Sequence, residues 1–597
     1  MDQSQNKARF PVAANFLVAA VLAAGAGIFV WGANRGFDLS DEGVYLLDFQ
    51  NPDGFRGGFT GYHRIGALLF SAVGQEIVTL RLVGLALLLL ATVFFALQLL
   101  GLLKSSGLSP FSGRAGEWGF GLAVTVSILP AFCWPPPTLS YNTLTGILLL
   151  MAGGSFLAVL AANRWLARSL WLAVFAASLL VLLLVKGSSA FGLLLGCGVL
   201  LAFWPMAPFR VRAGIALGFA GLGLAGGLIL FFAVPAFRDA WTFLAYSVTS
   251  LLEGKGASGI IGRHAGEALD LVLRTLRSYY FPLLTAAAGV VVLRRMPGID
   301  GWRVRVFGLF TLAVLAGTAV AKDGFLAGMA ARNGSMLAYL AMVLVLVTLA
   351  AGLPGRLGWT RREVIAFTLL ALWLGALPFF GAAGTTHRLY VNALLHLPSF
   401  FAVIVLLAAV ADRRVGSMWL APSAALLVAA LGAGQFVSGF LVQPYRLATP
   451  KWEQTVPVPV GEPASMLRLD PATAGFVAEM RQIFKDAGFE PGQDILGLFD
   501  VPGVVFACGG VSPGRPWYFG NYGSVGENEN LDALTWAGAG KIRSAFIIQT
   551  ADDPRVATYL SRLGIRFPEE YRLVGETRHP ARDQSVRVWA PKILNSR

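Results

Sequence analysis

The chain has 597 residues, of which 56% are hydrophobic and only 13% charged, and it carries a formal net charge of +14. That balance excludes an ordinary soluble protein and a disordered one, and it is the balance of a chain dissolved mostly in lipid. The positive excess does not point to nucleic acid: residues 445–597 hold 17 basic and 17 acidic residues, so all of it lies in residues 1–444, which hold 30 and 16.

Residues 12–33 follow Lys7 and Arg9, and their apolar run is longer than the core of a signal peptide, so an uncleaved first span is expected. Further runs near the length of about 20 residues that crosses a bilayer predict spans at 78–103, 117–134, 139–162, 169–185, 188–206, 213–235, 278–293, 304–321, 334–353, 363–380, 391–411 and 418–442, about thirteen in all. The loops between them separate by charge. One set is short and basic, with Lys104/Arg114, Arg164/Arg168, Arg210/Arg212, Arg294/Arg295, Arg361/Arg362 and Arg413/Arg414, as cytoplasmic loops are. The other set includes the long segments 34–77 and 236–277 and carries most of the acids. These face outward, and an odd number of spans from a cytoplasmic N-terminus places residues 445–597 outside as well.

The outer segment 34–77 contains two amphipathic stretches, near 41–50 and 62–75, expected to lie in the interface as short helices. Its carboxylate pair Asp41-Glu42, in SDEGVYLL just beyond the first span, could accept a proton from an attacking hydroxyl. Acids outside a first span can also merely obey topology. Tyr45, His63 and Arg64 are further polar or aromatic groups of that loop that could touch a substrate.

Lys186 ends the fifth span in LLLVKGSSAFG, where a lone ammonium must either pair with a lipid-linked phosphate or snorkel to water. In WPPPTLSYNTL, Tyr141 and Asn142 could stack on and hydrogen-bond a sugar, although prolines between spans are common turn formers. In GAAGTTHRLYVN, His387 and Arg388 close a short outer loop, and the guanidinium could fork onto phosphate oxygens or rest in the interface.

After Tyr445 the apolar runs stop and a small α/β domain is expected over 445–597, set against a membrane domain over 1–444. Helices are predicted at 473–488 and 553–564, and strands at 494–501, 503–510 and 544–550. Trp517 and Tyr518 could stack on carbohydrate or be core aromatics. The cysteines Cys133, Cys197 and Cys508 form neither a close pair nor a ligand spacing, and no nucleotide loop is visible.

With these residues in view, the chain resembles the GT-C superfamily of membrane glycosyltransferases, in the branch of the protein O-mannosyltransferases and the lipid A aminoarabinose transferases. The likeness is one of layout: about thirteen spans, an acidic motif opening the first outer loop, interfacial helices in that loop, and an extracytoplasmic C-terminal domain. It implies a hexosyl- or pentosyltransferase of the bacterial inner membrane. The partners implied are a polyprenyl-phosphate sugar donor, a lipid, glycan or protein acceptor, and the surrounding membrane lipids. The family's acid falls on Asp41, with Glu42 beside it, and its phosphate-holding cations fall on Lys186 and Arg388. The sequence departs from many relatives in having no acid at 134–142. No cofactor is required; a divalent metal is compatible with this reaction, although no ligand motif for one is visible. Competing readings are a lipid-linked polysaccharide polymerase or ligase, a transporter, and a noncatalytic envelope assembly protein.

Overall fold

The computed structural model describes residues 3–55, 61–111, 113–133, 135–233, 238, 262–277, 280, 284, 335–351, 358–384, 389–416, 418–520, 523–550, 553–581 and 584–592. They bear out a polytopic helical membrane protein with a small C-terminal α/β part. Among the described residues, eight helices are long and apolar enough to cross a membrane: Pro11–Gly32, Ile77–Ser105, Arg114–Phe132, Tyr141–Ala161, Trp165–Val185, Phe209–Ala233, Arg361–Ala382 and Leu420–Val442. The shorter apolar helices Gly187–Phe203 and Ser335–Ala351 fall at two more expected spans. The spans expected at 278–293 and 304–321, and most of the expected outer segment 236–277, lie outside the described residues.

The span expected at 391–411 is corrected. Helix Leu389–Asn392 gives way to a 3-10 turn, Ala393–His396, and the long helix runs Pro398–Val415. Proline is favoured in the first turn of a helix, where its missing N–H loses no bond, so Pro398 marks the true start. Gly416, at φ 64°, ends it. Asp412 then accepts from the backbone N–H groups of Trp419, Leu420 and Ala421, and so caps the start of the next helix.

The chain divides into two compact units. One holds Met1–Ile28, Ala86–Trp134 and Tyr141–Gly439, and the other Phe29–Leu85, Pro135–Ser140 and Phe440–Arg597. The loop 34–77 thus belongs to the same unit as the C-terminal residues. In the first unit, Trp373 meets Phe156, which in turn meets Phe175, with ring centroids 6.1 and 5.4 Å apart.

After helix α1 (Gln3–Gly32), the loop in the second unit forms α2 (Asp41–Gln50) and α3 (Tyr62–Ala72), close to the two expected stretches. Strands β1 (Val456–Val460) and β2 (Ser465–Leu469) make an antiparallel hairpin, and the loop backbone joins it: Gly36 N–H donates to Arg468 O and Arg468 N–H to Asn34 O, both at 2.7 Å. Strands β3 (Ile495–Leu498), β4 (Phe546–Thr550), β5 (Tyr571–Arg578) and β6 (Ser585–Pro591) form a sheet in the order β3-β4-β6-β5, parallel between β3 and β4 and antiparallel elsewhere. Helices Pro471–Asp486 and Arg555–Arg562 match the two predicted there.

The strand predicted at 503–510 is instead a short helix, Pro502–Ala507, again opened by proline and wholly buried. Here tertiary burial overrides the strand preference of Val504 and Val505. This helix carries α2. A Cβ on Gly43 would stand 2.2 Å from the Gly503 Cα, a Cβ on Gly503 would stand 2.4 Å from the Leu39 Cα, and Gly503 N–H donates to Leu39 O at 2.9 Å. Only glycine permits two backbones to approach so closely.

Candidate functional site

The acidic motif sits at the N-terminus of α2, where carboxylates are favoured by the helix dipole. Asp38 organises the turn into it. One of its oxygens accepts from Ser40 Oγ at 2.6 Å and Ser40 N–H at 3.0 Å, and the other accepts from Glu42 N–H at 3.3 Å. Burial, and then the neighbouring Asp41, raise the Asp38 carboxyl to about 6.

Glu42 and Asp41 part ways. Glu42 turns inward, 1% exposed, and its carboxylate takes the Nε and Nη2 of Arg81, itself fully buried, at 2.8–3.0 Å. Arg81 also donates to Ala33 O at 2.5 Å and Gly36 O at 2.9 Å, so one guanidinium ties the end of the first span to α2. Lys451 lies buried nearby and donates to Arg35 O; burial first, and then Arg81, push its ammonium down to about 7.

Asp41 keeps a side chain 19% exposed. Its Oδ2 accepts from Tyr445 Oη at 2.6 Å and its Oδ1 from Arg446 Nη1 at 2.9 Å; the same Arg446 nitrogen donates to Ser40 Oγ at 2.6 Å. The second unit therefore contains a connected polar chain, Asp38, Ser40, Arg446, Asp41 and Tyr445, in which Asp41 is the most accessible of the acids in 38–42. Such an arrangement can hold a carboxylate in one orientation with a hydroxyl against it.

The other candidates of that loop have different settings. Tyr45 is buried edge-on against Tyr62 at 5.9 Å, and His63 meets the same ring at 5.9 Å. Both belong to an aromatic cluster with Phe49 and Phe70, whereas Arg64 reaches outward to pair with Asp53 at 2.8 Å. Tyr62 donates to Asp48, whose carboxyl is raised to about 7 by burial. In the C-terminal part, Tyr518 is buried and donates to Pro513 O, which removes it from stacking on a ligand; Trp517 Nε1 donates to Asp500 at 2.7 Å.

In the first unit, Lys186 stands at the break between helices Trp165–Val185 and Gly187–Phe203, in extended backbone. It is buried rather than snorkelling: Nζ donates to Gly381 O at 2.7 Å and lies 5.8 Å from the centre of the Tyr141 ring. Ser189 Oγ donates to the same carbonyl at 3.1 Å. The structure thus brings Lys186 and Tyr141 together. Asn142, next along the helix, is buried, and its Oδ1 meets no donor among the described residues. His396 packs its ring on Gly381 and Gly146, where a Cβ would come within 2.3 and 3.2 Å of it. His387 and Arg388 lie outside the described residues, and no group of His, Cys, Asp or Glu among the described residues could hold a metal ion.

Arg81, Tyr445, Arg446 and His396 were not singled out from the sequence. Arg81 had a signal, a charge four residues inside an apolar run, which marks a site or a buried partner. Tyr445 and Arg446 had only their place at the end of the last run.

The sequence matches no protein-family model and no curated protein. Two solved structures are similar along nearly the whole chain. The crystal structure of ArnT from Cupriavidus metallidurans bound to undecaprenyl phosphate is 13% identical, with a TM-score of 0.39, over 96% of this chain and 98% of that chain. The structure of the same protein in the apo state is 14% identical, with a TM-score of 0.37, over the same shares.

Proposed function

We propose that the protein is a membrane glycosyltransferase that moves a sugar from a polyprenyl-phosphate carrier to an acceptor hydroxyl on the outer face of the inner membrane. The observation that carries this reading is the contrast among the acids of 38–42: Asp38 and Glu42 are buried and tied to the loop, while Asp41 is held at its surface. The basic, acid-poor character of alternate loops supports a cytoplasmic N-terminus and an outward C-terminal region.

In this reaction Asp41 takes the proton of the acceptor O–H as its oxygen forms a bond to the anomeric carbon. The bond from that carbon to the phosphate oxygen breaks, and the electron pair leaves with the polyprenyl phosphate. Cations near the donor stabilise the departing anion, a role given to Lys186 and Arg388. Glu42 serves as a holding group through Arg81, and contact with the sugar is a role given to Tyr141 and Asn142.

The test is transfer of labelled sugar from a panel of polyprenyl-phosphate sugars in membranes carrying wild type or Asp41→Asn at equal expression. Loss of a general base lowers the rate by about 100- to 10,000-fold. Transfer by Asp41→Asn at the wild-type rate would remove Asp41 from the chemistry.

A further inference from the structure

The acid on which the proposed reaction depends is already occupied. A base that takes a proton from an alcohol must first accept a hydrogen bond from that alcohol's O–H. The phenol of Tyr445 makes such a bond on Asp41 Oδ2 at 2.6 Å. Burial, and then the charge of Asp41, push the phenol above its ordinary range, so it stays protonated there and sits as an alcohol that is not consumed.

Its neighbour is shaped to keep it there. Leu447 N–H donates to Pro444 O at 3.2 Å, closing a turn whose third residue is Arg446, at φ 54°. That position of such a turn favours glycine, and an arginine there is strained. The strain is offset while the guanidinium bridges Ser40 and Asp41 and covers the Tyr445 ring at 4.9 Å. Residues 443–450 belong to no helix or strand.

We propose that Tyr445 is a built-in occupant of the acceptor-hydroxyl position on Asp41, clasped by Arg446, so that the site rests closed until a substrate hydroxyl displaces the phenol. This rests on Asp41 being the base.

The test is carbodiimide labelling of the full chain in nanodiscs, with glycine ethyl ester as the amine and peptide mass spectrometry as the readout. Asp53, 74% exposed although paired with Arg64, sets the rate of a solvent-accessible carboxylate, and Glu42, 1% exposed, that of a closed one. In wild type, Asp41 is expected to label far more slowly than Asp53. Loss of a hydrogen bond to a charged group raises its labelling about ten-fold in Tyr445→Phe, and Tyr445→Ala brings it near the rate of Asp53. Equal rates for Asp41 and Asp53 in wild type, or no rise in Tyr445→Phe, would overturn the proposal. If Tyr445→Ala also opens Glu42 the loop has come apart, and Tyr445→Phe alone decides.

In the transfer assay, Tyr445→Phe lowers the acceptor KM about ten-fold, because a closed resting state weakens apparent affinity by its population. A fall in kcat at constant KM would instead make Tyr445 a positioning residue and overturn the occupant role. Failure of the Asp41 assignment is read separately, from Asp41→Asn, and leaves the labelling rates of the Tyr445 variants as they are.

Discussion

The buried pair of Glu42 and Arg81 offers the sharpest test of how the loop is held. Replacing Glu42 by Gln keeps the shape but leaves the Arg81 guanidinium, fully buried, without its counter-charge and beside the Lys451 ammonium. Breaking one side of a buried pair costs about 3–5 kcal/mol. Arg81→Met does comparable harm by another route. It strands the Glu42 carboxylate and also removes the donors to Ala33 O and Gly36 O, each orphaned carbonyl costing about 1–3 kcal/mol. The double variant Glu42→Gln, Arg81→Met carries no stranded charge, so it should be less unstable than the sum of the two by about 3 kcal/mol. Thermal midpoints of the full chain in one detergent at one scan rate give the comparison. The expected order is wild type, then the double variant above the additive prediction from the singles. Additive losses, or a Glu42→Gln midpoint equal to wild type, would refute the claim that this ion pair fixes α2.

Two further outcomes are expected. Gly43→Ala drives a methyl into the Gly503 backbone, which cannot yield as a side chain can; it should lower the thermal midpoint and transfer together, as should Gly503→Ala, by an amount equivalent to about 1–3 kcal/mol. The pH dependence of stability should pass through a minimum near 7. Asp48 and Asp38 are raised in the folded state from 3.8 to about 7 and about 6, so the fold binds more protons than the unfolded chain above pH 4, and stability falls as pH rises through those values. Lys451, lowered from 10.5 to about 7, leaves the unfolded chain with the extra proton above pH 7, so stability climbs again towards pH 10. Thermal midpoints from pH 4 to 10 check both limbs. Asp48→Asn should flatten the acid limb, and a flat wild-type profile would contradict the burial of these groups.

The eight long described spans were legible because a continuous apolar run of helical length reads the same whatever it packs against. The break at Asn392–Pro398 was not, since a run of mixed apolar residues hides a 3-10 turn until the position of its proline is weighed. The amphipathic character of 41–50 and 62–75 located α2 and α3, but the fates of the paired acids were hidden, because Asp41 and Glu42 diverge only through partners at 445, 446 and 81. Tyr45 and His63 looked like available polar groups, yet their rings pack on Tyr62. The hairpin β1–β2 escaped notice because VPVPV places a proline at every second residue, a pattern tolerated only where the strand does not need those donors.

The joining of residues 34–36 to β2, and of Gly43 to Gly503, ties segments more than 400 positions apart in the polypeptide. During synthesis the loop emerges first and must wait, its Arg81–Glu42 pair lacking a finished scaffold, until the last quarter of the chain arrives. A nascent or prematurely stopped product therefore carries the acidic motif without its supporting clamp, which is complete only once residues up to 503 have been made.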